Sequence, residues 1–342
     1  MSAVLEHNGH RLPGPPGLAV GCYRLPTVGV ERPELTVEEP AELGDRLRAA
    51  VRASVRLPEQ GLDVVLATLL AGGHLLVEDH PGVGKTQLAR TLAHSLGGSF
   101  ARVQATVDLL PADIVGASIW QPDTASFQFR PGPVFANVVL VDELNRATPK
   151  TQSGLLEAMQ EGQVSVDGHS WPLPRPFVVL ATQNPTAGQD GTYRLPSAQL
   201  DRFLARISLG YPTPEQEVAL LRDQPYPLAV APVCGPAELL AAQQATARVH
   251  AAEALLRYVV AVLGATRTHP LVEVGASPRA GLGLLAVARA RAALQGRGFV
   301  VPDDVKVLAQ PVLAHRIQPV ITAPAEAAAQ VIADVIAQVP AR

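Results

Sequence analysis

Lys85 and Thr86 close the run Asp79-His80-Pro81-Gly82-Val83-Gly84-Lys85-Thr86, which follows an apolar stretch at 74–78 and precedes a segment with leucines at 88, 92 and 96. A strand, a tight glycine loop and a helix in that order present backbone N–H groups and a positive helix end to a polyphosphate. Lys85 then reaches the β- and γ-oxygens, Thr86 holds Mg2+, and Gly82 and Gly84 supply backbone freedom. The residues expected around ATP are Asp79, His80, Pro81, Gly82, Val83, Gly84, Lys85, Thr86 and Gln87. One position departs from the usual Gly-x-x-x-x-Gly-Lys-Thr spacing: Asp79 stands where the first glycine belongs. Aspartate tolerates left-handed backbone better than most residues, and its carboxylate has to turn away from the phosphates.

A second chemical feature lies downstream. The run Val138-Val139-Leu140-Val141 ends in Asp142-Glu143, two carboxylates at the C-terminal edge of a buried strand, where open α/β sheets bind ligands. Asp142 suits a Mg2+ ion and Glu143 suits polarisation of the attacking water, because phosphoryl transfer needs positioning and charge neutralisation more than covalent chemistry. Alone, the pair reads equally well as a strand end; beside the upstream loop it reads as a site. Another apolar run, 177–181, leads through Thr182-Gln183 to Asn184, whose amide suits the γ-phosphate and the water, although Asn-Pro alone is a common turn.

These residues need elements to hold them. From 41 to 211, apolar runs of strand length alternate with amphipathic stretches of helix length, which predicts a parallel sheet covered by helices. Within it, Thr148-Pro149 starts a helix that stops near Gly162, and Asp167-Gly168 turns a hairpin. Residues 1–40 are rich in proline and acidic side chains and read as a disordered leader. Prolines at 212, 214, 225, 227, 232 and 236 make 212–236 a connection that cannot be one regular element. Residues 237–322 read as a small helical domain, and 323–342 as a final helix with Val331, Ile332, Val335, Ile336 and Val339 on one face. The fold class is therefore α/β: an αβα nucleotide-binding core followed by a small all-α lid.

Composition narrows the rest. The chain is 47% apolar with few aromatics, and its net charge of −3 gives no long-range attraction to nucleic acid. Two cysteines, Cys22 and Cys234, form neither a redox nor a zinc pattern, and no apolar run is long enough for a membrane span. A cytoplasmic location without membrane insertion follows.

The motifs together resemble the MoxR family of AAA+ ATPases. The resemblance rests on residues 78–86, on Val141-Asp142-Glu143-Leu144-Asn145-Arg146-Ala147 continuing through Leu155-Leu156-Glu157-Ala158-Met159-Gln160-Glu161, and on Ala181-Thr182-Gln183-Asn184-Pro185. It continues through Ala198-Gln199-Leu200-Asp201-Arg202-Phe203, Gly275-Ala276-Ser277-Pro278-Arg279-Ala280 and Pro302-Asp303-Asp304-Val305. Such a resemblance implies ATP hydrolysis in a homo-oligomeric ring, usually a hexamer, with ATP between protomers. It also implies two inserted hairpins, one within 109–135 around Ile119-Trp120 and Phe127-Gln128-Phe129, the other at Asp167-Gly168. Asn184 resembles the sensor-1 residue, Arg279 the lid's sensor-2 arginine, and Arg202 the arginine finger offered to the next subunit, with Arg206 and Arg146 as rivals. It further implies a chaperone-like remodeller, a partner with a von Willebrand factor A domain, and a client that is activated or loaded with a metal or cofactor. A magnesium-chelatase-like motor subunit is the alternative; a nucleic-acid motor and a slow nucleotide switch fit less well.

Overall fold

The computed structural model describes residues 38–55, 57–79, 83–183, 192–193, 195–210, 214–223, 231–320, 322 and 326–341. Helices α1 (Glu38–Ser54) and α2 (Glu59–Leu70) precede strand β1 (Leu75–Glu78) and helix α3 (Lys85–Ser95). Strand β2 (Phe100–Gln104) leads to α4 (Pro111–Val115) and a hairpin of β3 (Gly116–Gln121) and β4 (Ser126–Pro131). Next come β5 (Val138–Asp142), α5 (Pro149–Glu161), a hairpin of β6 (Gln163–Val166) and β7 (His169–Pro172), then β8 (Val178–Gln183), α6 (Ser197–Leu200) and β9 (Ala205–Ile207). Beyond them lie α7 (Pro214–Asp223), α8 (Pro236–Ala247), α9 (Glu253–Thr268), strand β10 (Val272–Val274), α10 (Pro278–Leu294), α11 (Pro302–Leu313), strand β11 (Gln318–Pro319) and α12 (Ala327–Gln338).

Five strands form one parallel sheet in the order β2-β5-β8-β1-β9. Alternation along β5 and β8 sends Val138, Leu140, Val178 and Leu180 to one face and Val139, Val141, Val179 and Ala181 to the other. The first face packs on α1, α2 and α3, whose apolar cluster continues into Leu284 and Val287 of α10; the second packs on Leu155, Leu156 and Met159 of α5. This two-faced burial is why the central strands are apolar throughout.

Local signals act as their chemistry dictates. The Thr148 side chain caps α5, whose first residue is Pro149, and Gly162 ends the helix at φ 63°. Asp167 and Gly168 both have positive φ, as a two-residue hairpin turn of matching twist requires. The stripe on α12 finds its surface, with Val331, Ile332 and Val335 buried. Three features differ from expectation. Helix α1 begins at Glu38, inside the stretch read as a leader. The proline-rich connection contains α7, because Pro214 opens it and the next proline comes only at 225. The helical region also carries the antiparallel pair β10–β11.

Two buried imidazoles tie this framework together. His74, just before β1, accepts the Val179 N–H through Nδ1 at 3.0 Å, which leaves Nε2 to donate to the Met159 carbonyl at 3.1 Å. Burial pushes its pKa down from 6.5 to about 4. His315 lies at the end of α11, and burial together with Arg316 lowers its pKa to about 3. Both rings fold neutral and are released near 6.5, so the unfolded chain binds more protons below that pH. Their stabilisation is complete above about pH 6.5 and is lost as pH falls towards 4 and 3, at up to about 1.4 kcal/mol per pH unit for each ring. The urea midpoint is therefore expected to fall between pH 7 and pH 5, and to fall less in His74→Gln. Equal midpoints at the two pH values would contradict this.

Candidate active site

Gly84 precedes α3 at φ 94°, a left-handed conformation that a side chain would strain. No side chain caps the helix, so its first-turn N–H groups are left to an anion at its positive end. A cavity of ≈ 390 Å3 opens there, lined by Asp79, Gly84, Lys85, Thr86, Gln87, Arg90, Arg102, Gln104, Asp142, Glu143 and Thr182. The Lys85 Nζ donates to the Asp79 carbonyl at 2.7 Å. Burial lowers the Lys85 pKa, and the carboxylates of Asp79, Asp142 and Glu143 oppose that shift. Asp79 does not use positive φ. Its carboxylate instead turns towards the end of β9, accepting from Ser208 Oγ at 2.8 Å, from the Gly210 N–H at 3.4 Å and from the Leu209 N–H. The missing glycine thereby becomes an anchor for the start of the loop.

Sheet order brings the acids to this loop. Strand β8 lies between β1 and β5, so its end is interposed between Lys85 and the Asp142-Glu143 pair. There Thr182 Oγ1 accepts the Glu143 N–H at 2.9 Å and donates to Asp142 Oδ1 at 3.4 Å. Glu143 has φ 54°, unusual for a non-glycine residue and costly by about 1–2 kcal/mol. Its Oε2 accepts from Arg146 at 3.0 Å and from Gln104 at 3.3 Å. Asp142, 7% exposed, accepts from Arg102 Nε at 2.8 Å through Oδ2. The Thr86 hydroxyl and the Asp142 carboxylate are hard oxygen donors of the kind Mg2+ takes, and the buried Gln87 Nε2 has no partner among the described residues. This donor set fits Mg2+ with a triphosphate.

The expected residues divide into three groups. Asp79, Gly84, Lys85, Thr86, Gln87, Asp142 and Glu143 line one cavity; Val83, just before Gly84, packs partly buried against the core. Arg202 and Arg279 lie outside it: Arg202 donates to the Leu156 carbonyl at 2.7 Å, and Arg279 is exposed in the first turn of α10. His80, Pro81, Gly82 and Asn184 lie outside the described residues. Four lining residues were not anticipated: Arg90, Arg102, Gln104 and Thr182. Arg102 and Gln104 flank Val103 on β2 and so share a face, a period-2 signal that becomes meaningful only once β2 is known to pair with β5. Replacing Thr182 by valine removes the acceptor that holds Glu143. Steady-state phosphate release is expected to fall about 10- to 100-fold with nucleotide uptake retained, since small misplacements cost that much; an unchanged rate would contradict it.

This strand order, the phosphate loop, the paired acids and the helical lid define a nucleotide-hydrolysing P-loop protein. Comparison with known proteins agrees. Residues 74–205 match the ATPase family associated with various cellular activities (AAA), and residues 264–335 match the AAA lid domain. YeaC of Bacillus subtilis, an uncharacterised protein, is 48% identical over 73% of this chain and 79% of its own. Chaperone MoxR1 of Mycobacterium tuberculosis is 44% identical over 76% of this chain and 71% of its own. A crystal structure of a Cytophaga hutchinsonii protein, assigned as an ATPase, superposes with a TM-score of 0.81 at 35% identity, covering 89% of this chain and 97% of that one. The chain belongs to the MoxR family of AAA+ ATPases, and its activity is ATP hydrolysis. No helix among the described residues is long and apolar enough to cross a membrane.

Proposed function

We propose that this chain is the ATP-driven part of a chaperone-like remodeller in the cytoplasm that activates a partner protein or complex, or matures it by inserting a metal or cofactor. One observation carries the ATP-driven part of the reading: Lys85, Thr86, Asp142 and Glu143 meet in one cavity at the C-terminal edge of the sheet. Lys85 and the start of α3 grip the β- and γ-phosphates, while Thr86 and Asp142 hold Mg2+. The ion, when bound, neutralises phosphate charge. Glu143, held by Thr182, orients the attacking water, and Asn184 assists on the same edge. Arg279 reaches the γ-phosphate when the lid moves. Arg202 serves the site of the next protomer in a ring, a hexamer by family habit.

The client-facing parts are the two hairpins. Phe129 of β4 stacks on Trp171 of β7 at 4.5 Å and 16°, which joins them, and Trp120 and Phe127 pack edge to face while remaining exposed. Similarity to a protein named as a chaperone supports this assignment. The partner is a protein carrying a von Willebrand factor A domain. The test is capture of such a partner by Glu143→Gln with ATP and its release from the wild type on turnover. Capture that ignores both nucleotide and Glu143 would refute the reading.

A further inference from the structure

The short turn Ala314–Arg316 after α11 buries two basic side chains, His315 at 5% and Arg316 at 8% exposure. Both point at a single backbone oxygen of the core. The Phe203 carbonyl accepts from Arg316 at 2.8 Å and lies 2.9 Å from His315 Nε2. Arg316 also donates to the Leu204 carbonyl at 3.4 Å and lies 3.5 Å from Asp201 Oδ1. The lid therefore holds residues 201–204, the segment that carries Arg202. On its other side Arg316 packs on α10: a methyl group at Gly283 would come within 2.8 Å of its Nη1 and within 2.9 Å of Leu204 Cδ1. Arg279, at the start of the same helix, is near enough to lower the Arg316 pKa, to which burial contributes most.

This contact is not a saturated lock. Among the described residues, His315 Nδ1 and Arg316 Nη1 are buried without a hydrogen-bond partner, and Asp201 Oδ1 meets Arg316 Nε only as an ion pair at 3.5 Å. A partly satisfied buried polar network specifies its arrangement weakly and has alternatives to adopt. Coupling between distant groups needs an element with two arrangements that both ends bias.

We propose that Arg316, seated with His315 on the Phe203 carbonyl, is a positioning residue: movement of the lid in one protomer sets the placement of the Arg202 which that protomer offers to its neighbour. Where the lid moves with the protomer's own nucleotide, as proposed for Arg279, that movement is read out in the adjacent site. This inference rests on the trans role assigned to Arg202.

The test uses mixed assemblies of the full chain. Glu143→Gln protomers cannot hydrolyse but offer Arg202; Arg202→Ala protomers keep Glu143 but offer no arginine. Phosphate release from the mixture, absent from either alone, reports Arg202 acting in trans. Arg316→Met placed in the Glu143→Gln donor is expected to lower that rate about tenfold or more, as misplacement of a charge-stabilising group does. Placed in the Arg202→Ala acceptor, it should cost less than about twofold. Gly283→Ala, whose added methyl crowds both Arg316 and Leu204 and so disturbs this contact without removing a charge, should reproduce the donor-specific loss and covers the case in which Arg316→Met fails to fold. Fluorescent-ATP uptake by each donor serves as the control for an intact protomer. Equal losses in donor and acceptor, or no loss in the donor, overturn the inference while leaving the trans role standing. A parental mixture without activity overturns the trans role, and the inference with it.

Discussion

Arg202→Ala is expected to lose about 10³- to 10⁵-fold in ATP turnover while still taking up nucleotide, the scale on which a trans-acting arginine works in phosphoryl transfer. Three arginines compete for this role, and they differ in what neutralises each. Arg206 is paired with Glu78 at 2.8 Å, and Arg146 with Glu143 at 3.0 Å. Arg202 has no carboxylate partner among the described residues: one Nη donates to the Leu156 carbonyl and its Nε is buried without a partner. Glu157 and Glu161 line the same cleft as Arg202 but form no ion pair with it among the described residues, so its guanidinium is freer than the other two to meet another phosphate. It lies outside the nucleotide cavity of its own protomer, as the proposed role in a neighbour's site requires. The wild-type rate per protomer should therefore rise with protein concentration, and Arg202→Ala should abolish the rise. A near-normal rate in Arg202→Ala beside a collapse in Arg206→Ala would reassign the role.

Glu143→Gln is expected to lower turnover about 10²- to 10⁴-fold, the contribution of a positioned general base, with ATP retained. The amide keeps the shape of the carboxylate and can still accept from Arg146, so binding survives while the ability to draw a proton from water does not. The backbone supports this role. Glu143 sits at φ 54° with its N–H fixed on Thr182, so the chain accepts local strain to aim this side chain. Single-turnover phosphate release with pre-bound ATP measures the loss directly. A variant that hydrolyses at the wild-type rate would remove Glu143 from the chemistry.

Much of this arrangement was legible in the residues. Val138 to Val141 could only be a buried strand, the Thr148-Pro149 and Ser277-Pro278 pairs start helices where their side chains cap them, and Asp167-Gly168 turns the hairpin. What escaped depends on contacts between distant positions. Arg102 meets Asp142 only because β2 lies beside β5, and Thr182 enters the site only because β8 separates β1 from β5. Neither adjacency leaves a local trace. His315 and Arg316 mislead in the opposite sense: charged types suggest a surface, yet both are buried because one backbone carbonyl of the core receives them. Asp79 was legible as a departure but not as an anchor, since Ser208, Leu209 and Gly210 lie about 130 positions downstream.

Everything rests on a triphosphate held at the start of α3 by Lys85. Titration of the purified chain with Mg-ATP in a calorimeter, beside Lys85→Ala, tests this most directly. Saturable uptake by the wild type that disappears in Lys85→Ala is the predicted result. No uptake by the wild type, or equal uptake by both, would contradict it.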